Sequence, residues 1–427
     1  MRGTSQAVTT VTDADEGRNG WVFTICYIFI YLAAPVLYVG VIQAALCDRL
    51  GVSKTLASLP ASTYMLGQIA PLFFSWRIPY RLEQSMVIWA NLATGVLSAS
   101  VFLSLLLPAP ASVRIGAVVL QGLLQGLSMS TSFVFMQQCL RRGTTAAGMA
   151  RTLQRTFSLT PFFAVAGSLG AQYILGTGLP GVSFPHDFAL IYLLAVPCSL
   201  GIALAARRFR LAPLAEQTRP PFLAFVTGSV RSFCGNRTLL LVGLAYVLWY
   251  VSLGITSNLT LYTREAMGRE PKDFSGLTMA IRFGTKAMGG YLLGWLALRA
   301  GLRGGVLGCV TLLAAGCGWA WLIPGAGYLF AFGLLGAGEL GGAYFPNYVG
   351  SLSNPAESTR NLALMTLATP IASFAPVLHG LLTDRFGFPA SFALGIGAAA
   401  AALALVVAAA GSLPKAIEMP GTHRRSH

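Results

Sequence analysis

Charged side chains are scarce in this 427-residue sequence: Asp, Glu, Lys and Arg make up 10% of it, and only 14 residues are acidic. A soluble domain carries roughly 25% charged residues. With 55% hydrophobic residues and a mean hydropathy of +0.67, the scarcity excludes an ordinary water-soluble chain and places the sequence in a lipid bilayer. No G-x-x-x-x-G-K-[ST] run is present, which excludes a nucleotide-driven motor of that type. The seven cysteines (26, 47, 139, 198, 234, 309 and 317) are scattered with no C-x-x-C pair, so neither a disulfide framework nor a metal site is expected, and no cofactor either. Residues 1–20 are polar and the first apolar run is too long for a signal-peptide core, so no cleaved leader is expected. Of the acidic residues, only Glu339 lies deep inside an apolar segment, and His379 is the one histidine within such a segment. That is too little for the paired carboxylates or the His/Asp/Glu group of a membrane enzyme.

What is present is basic. The net charge is +15, from 29 Lys and Arg. These do not cluster with aromatics as a nucleic-acid surface would require, so no nucleic-acid partner is expected. They fall between twelve apolar segments, at 21–46, 55–76, 85–107, 113–140, 152–176, 188–206, 238–262, 275–298, 304–323, 328–350, 362–383 and 389–411. One interval is long, 207–237, polar and basic, with an amphipathic helix expected over 222–234. It divides the chain into a six-span half at 1–206, a linker at 207–237, and a second six-span half with a short tail at 238–427. The termini, the linker and the loops on their side hold 20 Lys and Arg against seven on the other. That bias puts both ends and the linker in the cytoplasm, in a plasma (bacterial inner) membrane.

The halves repeat. A shift of 222 superposes Gly67, Arg77 and Arg81 on Gly289, Arg299 and Arg303, and RTLQRTFSLTP (151–161) matches RNLALMTLATP (360–370) at a shift of 209. Duplicated halves with a site between them near the midplane are a transporter plan.

Within the second half, span 275–298 carries Arg282 and Lys286. At 1.5 Å per residue Lys286 lies about 16 Å from Ser275, near the middle of a hydrocarbon core roughly 30 Å thick. Arg282 is one turn away on the same face. Charges at that depth need an opposite charge, a water-filled cavity or an anionic ligand. Glu339, about eleven residues from either end of its span, is the one carboxylate placed to pair with them. Two cations against one anion leave a positive charge over, which points to an anionic substrate group with Lys286 as its contact.

These features resemble the major facilitator superfamily of secondary transporters. Its loop signature, G-x-x-x-D-R/K-x-G-R/K, is matched by GWLALRAGLR (294–303) with Gly294, Arg299, Gly301 and Arg303 in place and Leu298 where the Asp would stand. The first-half copy, SWRIPYRLE (75–83), keeps Arg77 and Arg81, and echoes occur in CDRLG (47–51) and GLLTDRFG (380–387). The resemblance implies an all-α membrane fold of two pseudo-symmetric six-helix bundles around a central cavity lined by spans 1, 4, 7 and 10. It implies a gating role for the loop residues and a monomer that moves a small molecule coupled to H⁺ or Na⁺.

On those spans the polar and aromatic candidates for substrate binding are Tyr31, the pair Gln121 and Gln125 at i and i+4, Trp249, Tyr250 and Asn347, with Glu339 as the coupling carboxylate. Each has a plainer reading: amides and hydroxyls also join helices, and aromatics also pack. The expected function is alternating-access transport of a small organic anion. Proton-coupled efflux of drug-like or amphiphilic compounds is the alternative, and a non-transporting membrane receptor or enzyme is the competitor from another class.

Overall fold

The structure, a computed structural model, describes residues 12–77, 82–211, 221–353, 361–362 and 364–411. Every regular element among them is helical. Seven helices are each long and apolar enough to cross a membrane, and one of these, Lys272–Leu322, is two crossings joined at Gly301. The joint needs glycine because its φ is +70°, a left-handed value that side chains disfavour. The remaining four crossings, spans 1, 2, 10 and 11, are interrupted helices. This departs from the twelve uniform segments read from hydropathy.

Spans 1–6 pack into one bundle, with span 1 against 5 and 6, span 2 against 4, and span 3 against 4 and 6. Spans 7–12 make the corresponding set, with 7 against 11 and 12. Two equivalent seams join the bundles. Span 5 meets span 8, where a Cβ on Gly276 would fall 2.4 Å from the Ser168 carbonyl oxygen. Span 11 meets span 2, where a Cβ on Gly380 would fall 2.6 Å from the Lys54 carbonyl oxygen. Exchanging 5 with 11 and 8 with 2 turns one seam into the other, as duplicated halves require. The expected linker helix is present as Phe222–Gly235. Its Phe222 ring lies 5.3 Å from that of Phe73 in span 2, and Phe233 packs under Gly243 of span 7, so it touches both bundles.

The polar bridges between bundles gather at the end opposite Asp13. Arg49 pairs with Glu270, Arg264 donates to Asp48 at 2.7 Å, and Lys272 lies 3.5 Å from Asp187. Asp384 accepts from the amides of Lys54 and Thr55 at 3.0 and 2.9 Å, capping span 2 from the opposite bundle. Carboxylates suit a helix N-terminus, where unpaired amides and the helix dipole converge. The echoes CDRLG and GLLTDRFG therefore sit at this closed end. Towards the other end spans 5 and 8 separate, leaving a cleft of about 720 Å³ between Gln154–Val165 and Gly284–Tyr291.

Candidate functional site

Lys286 and Arg282 stand one turn apart on span 8 and both reach Glu339 on span 10. Arg282 donates to Oε1, and Lys286 Nζ donates to Oε2 at 3.2 Å. Gly336, one turn before Glu339, makes the reach short: a Cβ there would fall 2.1 Å from the Arg282 carbonyl oxygen. The helices touch backbone to backbone at that level, as small residues allow between membrane spans. Sharing one carboxylate offsets part of the cost of two cations in a low-dielectric interior. The side chains differ in access, being 11% exposed for Arg282, 7% for Glu339 and 21% for Lys286. Lys286 and Glu339 line a cavity of about 530 Å³, and Arg282 stands behind them.

The rest of the wall is aromatic. Tyr27, Tyr31 and Tyr38 of span 1 and Phe133 of span 4 face Phe283 of span 8. The Phe283 ring lies 5.7 Å from Tyr31 and 5.4 Å from Tyr38 and bridges the bundles on the closed-end side of Lys286. Phe283 is absent from the candidates read from sequence. The sequence does carry a signal for it, since it lies three residues before Lys286 on the same helical face.

Spans 1, 10 and 7 are each broken, and each break frees a carbonyl that a side chain from another span reaches. In span 1, Ala34–Leu37 is separated from Val41–Arg49 by a turn in which Gly40 has φ +151°. The freed Val36 and Leu37 carbonyls accept from Gln125 at 3.2 and 3.0 Å, and Val36 also accepts from Gln43. In span 10, Phe330–Gly338 and Gly341–Leu352 part at Glu339, and the Gly338 carbonyl accepts from the Trp249 indole at 3.2 Å. In span 7, Arg237–Leu253 and Thr256–Leu261 part at Gly254, and His379 lies 3.0 Å from the Val251 carbonyl. In lipid no water is at hand for such groups, so an uncapped break would be costly.

Several of the residues read from sequence lie away from this cavity in the structure. Gln121 and Gln125 are buried and bonded to each other, Gln125 also to span 1 and Gln121 to the Tyr192 hydroxyl, and neither lines the cavity. Trp249 is 1% exposed and packs on Gly341 instead of facing the cavity, and Tyr250 is occupied with the Tyr246 hydroxyl at 3.2 Å. Polarity on the right spans is what marks them in the sequence. Helix breaks, invisible to hydropathy, are what engage them. Tyr31 does line the cavity, and Asn347 is exposed one turn beyond the cavity residue Ala343. Gln125→Leu should leave the Leu37 carbonyl unpaired and cost about 1–3 kcal/mol. Thermal unfolding in detergent should show a Tm lower by a few degrees with ligand affinity intact; an unchanged Tm would show that the cap contributes nothing.

The sequence matches no family model and no curated protein. Solved structures are similar in fold. A D-xylose–proton symporter aligns at 13% identity over 90% of this chain and 97% of its own, with a TM-score of 0.67. The nucleoside transporter NupG aligns at 11% over 93% and 99%, with a TM-score of 0.66. A bacterial homologue of the human lysosomal transporter Spinster, in an inward-facing and unoccupied conformation, aligns at 13% over 94% and 96%, with a TM-score of 0.62. The chain has the major facilitator fold. It is an integral membrane protein of two six-helix bundles around a central cavity, and the ion triad lies on the wall of that cavity.

Of the major facilitator loop residues, Gly301 makes the turn between spans 8 and 9, and Arg299 stacks over the Trp295 ring at 4.3 Å from its centroid. Gly294 has open space around it, and Leu298, in the place of the motif's Asp, is 90% exposed. Arg303 Nε is buried with no hydrogen-bond partner among the described residues. Arg77 closes the helix Ala70–Arg77, and Arg81 lies outside the described residues.

Proposed function

We propose that the chain is a secondary active transporter of a small organic anion, and that residues 1–206 and 238–427 rock about the cavity as two bodies joined by the linker 207–237. The observation that carries this reading is the triad: one carboxylate between two cations, with Lys286 the cation that faces the cavity. An anion arriving there supplies the missing charge in a partly desolvated site, where its attraction to Lys286 exceeds that in bulk water. Tyr31 and Phe283 give the ligand an apolar surface. Glu339 is the coupling group, because a proton on its carboxylate releases both cations to the substrate and so links H⁺ entry to anion binding. The xylose carrier of similar fold is a proton symporter, which is compatible with that scheme.

The charge bias places the end bearing Asp13 in the cytoplasm. The bridged end is then external, and the cavity opens inward. Cys234 on the linker helix is the one exposed cysteine of the seven. A membrane-impermeant maleimide should therefore label it in inverted vesicles and not in intact cells; labelling from outside would overturn the orientation.

The function itself is tested by a thermal-shift screen of the purified protein against metabolite anions, sugars, amphiphilic cations and neutral drugs. A ligand at 100 times its Kd should stabilise the protein by about 2.7 kcal/mol. Stabilisation by cations or neutral compounds alone would replace this reading with drug-like efflux.

A further inference from the structure

The central cavity shares its wall with the cleft between spans 5 and 8. On span 8 the cavity is lined by Phe283, Lys286, Ala287 and Gly290; the cleft shares Ala287 and Gly290 and adds Gly284, Met288 and Tyr291. The cavity set runs i, i+3, i+4, i+7 and the cleft set is displaced by one residue, so they are neighbouring faces of one helix with Ala287 and Gly290 on their common edge. On span 5, Phe157 and Pro161 belong to both. The cavity and the cleft thus lie on two sides of one wall, whose span 8 part is two of the smallest side chains in the chain. The cleft's outer rim is exposed on the flank of the bundle: Phe162 and Met288 are each 73% exposed and Tyr291 is 81% exposed. Exposed apolar side chains on spans long enough to cross a bilayer put that flank against lipid.

We infer that the substrate is a single-tailed amphipathic monoanion, a carboxylate head on a hydrocarbon chain, that reaches Lys286 sideways from the bilayer with its tail in the cleft between spans 5 and 8. This rests on the anion reading above and narrows its substrate class. With Glu339 ionised the triad has one positive charge in excess, which a monoanion neutralises. The cleft selects a tail: its lining is aromatic, aliphatic or glycine except for Gln154 and Ser158. A long chain brought in from the aqueous end of the cavity would lose its apolar surroundings, whereas from the cleft side the head meets Lys286 while the tail stays in an apolar phase. Both volumes, about 530 and 720 Å³, lie in the roughly 300–1,000 Å³ range of small-molecule sites.

The test uses the full chain in phosphatidylcholine nanodiscs, a twelve-carbon fatty acid bearing a terminal diazirine, and unlabelled laurate and butyrate as competitors. Photolysis should label residues 154–165 and 284–291. Laurate should compete at concentrations at least about tenfold below those of butyrate, and Lys286→Met should weaken the competition by laurate by the same roughly 30- to 100-fold expected for the transported anion. Gly284→Phe should fill the cleft from its own side, since a Cβ at 284 meets no atom within 4 Å. That variant should abolish labelling of 154–165 and leave butyrate binding, read by thermal shift, unchanged. Labelling spread evenly over the lipid-facing helices, or unaffected by Gly284→Phe, would refute the sideways route. If butyrate binding depends on Lys286 and laurate gains nothing over it, the tail inference falls and the anion reading stands. If neither acid responds to Lys286→Met, the anion reading falls with it.

Discussion

Lys286→Met should weaken binding of the transported anion by roughly 30- to 100-fold, about 2–3 kcal/mol, with folding intact. Methionine keeps the length and the apolar stem and removes only the ammonium. The loss is bounded because Lys286 is 21% exposed and its field is partly screened by water in the cavity. Folding is expected to survive because Glu339 retains Arg282, which donates to the same carboxylate from the drier side. Lys286→Arg should fall between the two, since a planar fork replaces a compact point charge and aims its donors differently. Titration of the best anion from the screen, by thermal shift or calorimetry, gives the affinities. Equal affinity for parent and Met variant would remove the anionic substrate and leave an uncharged or cationic cargo as the better reading.

Glu339→Gln is expected to be the most damaging single change to stability, by about 3 kcal/mol. It leaves Arg282 and Lys286 facing each other without the carboxylate that both use, one of them 11% exposed at the back of the site. Adding Arg282→Met should restore part of the loss, because the variant then has one cation with access to water. The double-mutant cycle should therefore show coupling of about 1–3 kcal/mol. Strictly additive losses would mean that the three groups do not act as a unit. The same variant carries a second readout. With no carboxylate to protonate, anion uptake into proteoliposomes should no longer respond to an imposed pH gradient. Persistence of that response would assign coupling to another group.

The triad shows how far composition and spacing reach. Arg282 and Lys286 on one face, and Glu339 alone among the acids at midplane depth, can be read from the sequence because burying charge in lipid is expensive and restricts the partners available. The same economy of charge makes the twelve segments, the duplicated halves and the linker helix legible. What hydropathy does not encode is continuity. The breaks at Tyr38–Gly40, at Gly254 and at Glu339 lie inside apolar runs, and an apolar residue reads alike in a helix and in a turn. Gln125 and Trp249 read as ligands for a solute as long as the spans are taken to be unbroken; the breaks supply the carbonyls that they cap instead.

Sequence alone determined that the chain crosses a bilayer and offered Glu339 as the partner of Arg282 or Lys286, because these follow from transfer free energies and helical periodicity, which are local properties. Only the tertiary structure decided which cation faces the cavity and which polar side chains are consumed by the backbone. It also decided that one end of the bundle is bridged while spans 5 and 8 part at the other. Those depend on how close two helices come, and at Gly336 and Gly276 that is set by the absence of a side chain on one helix and the backbone position of another.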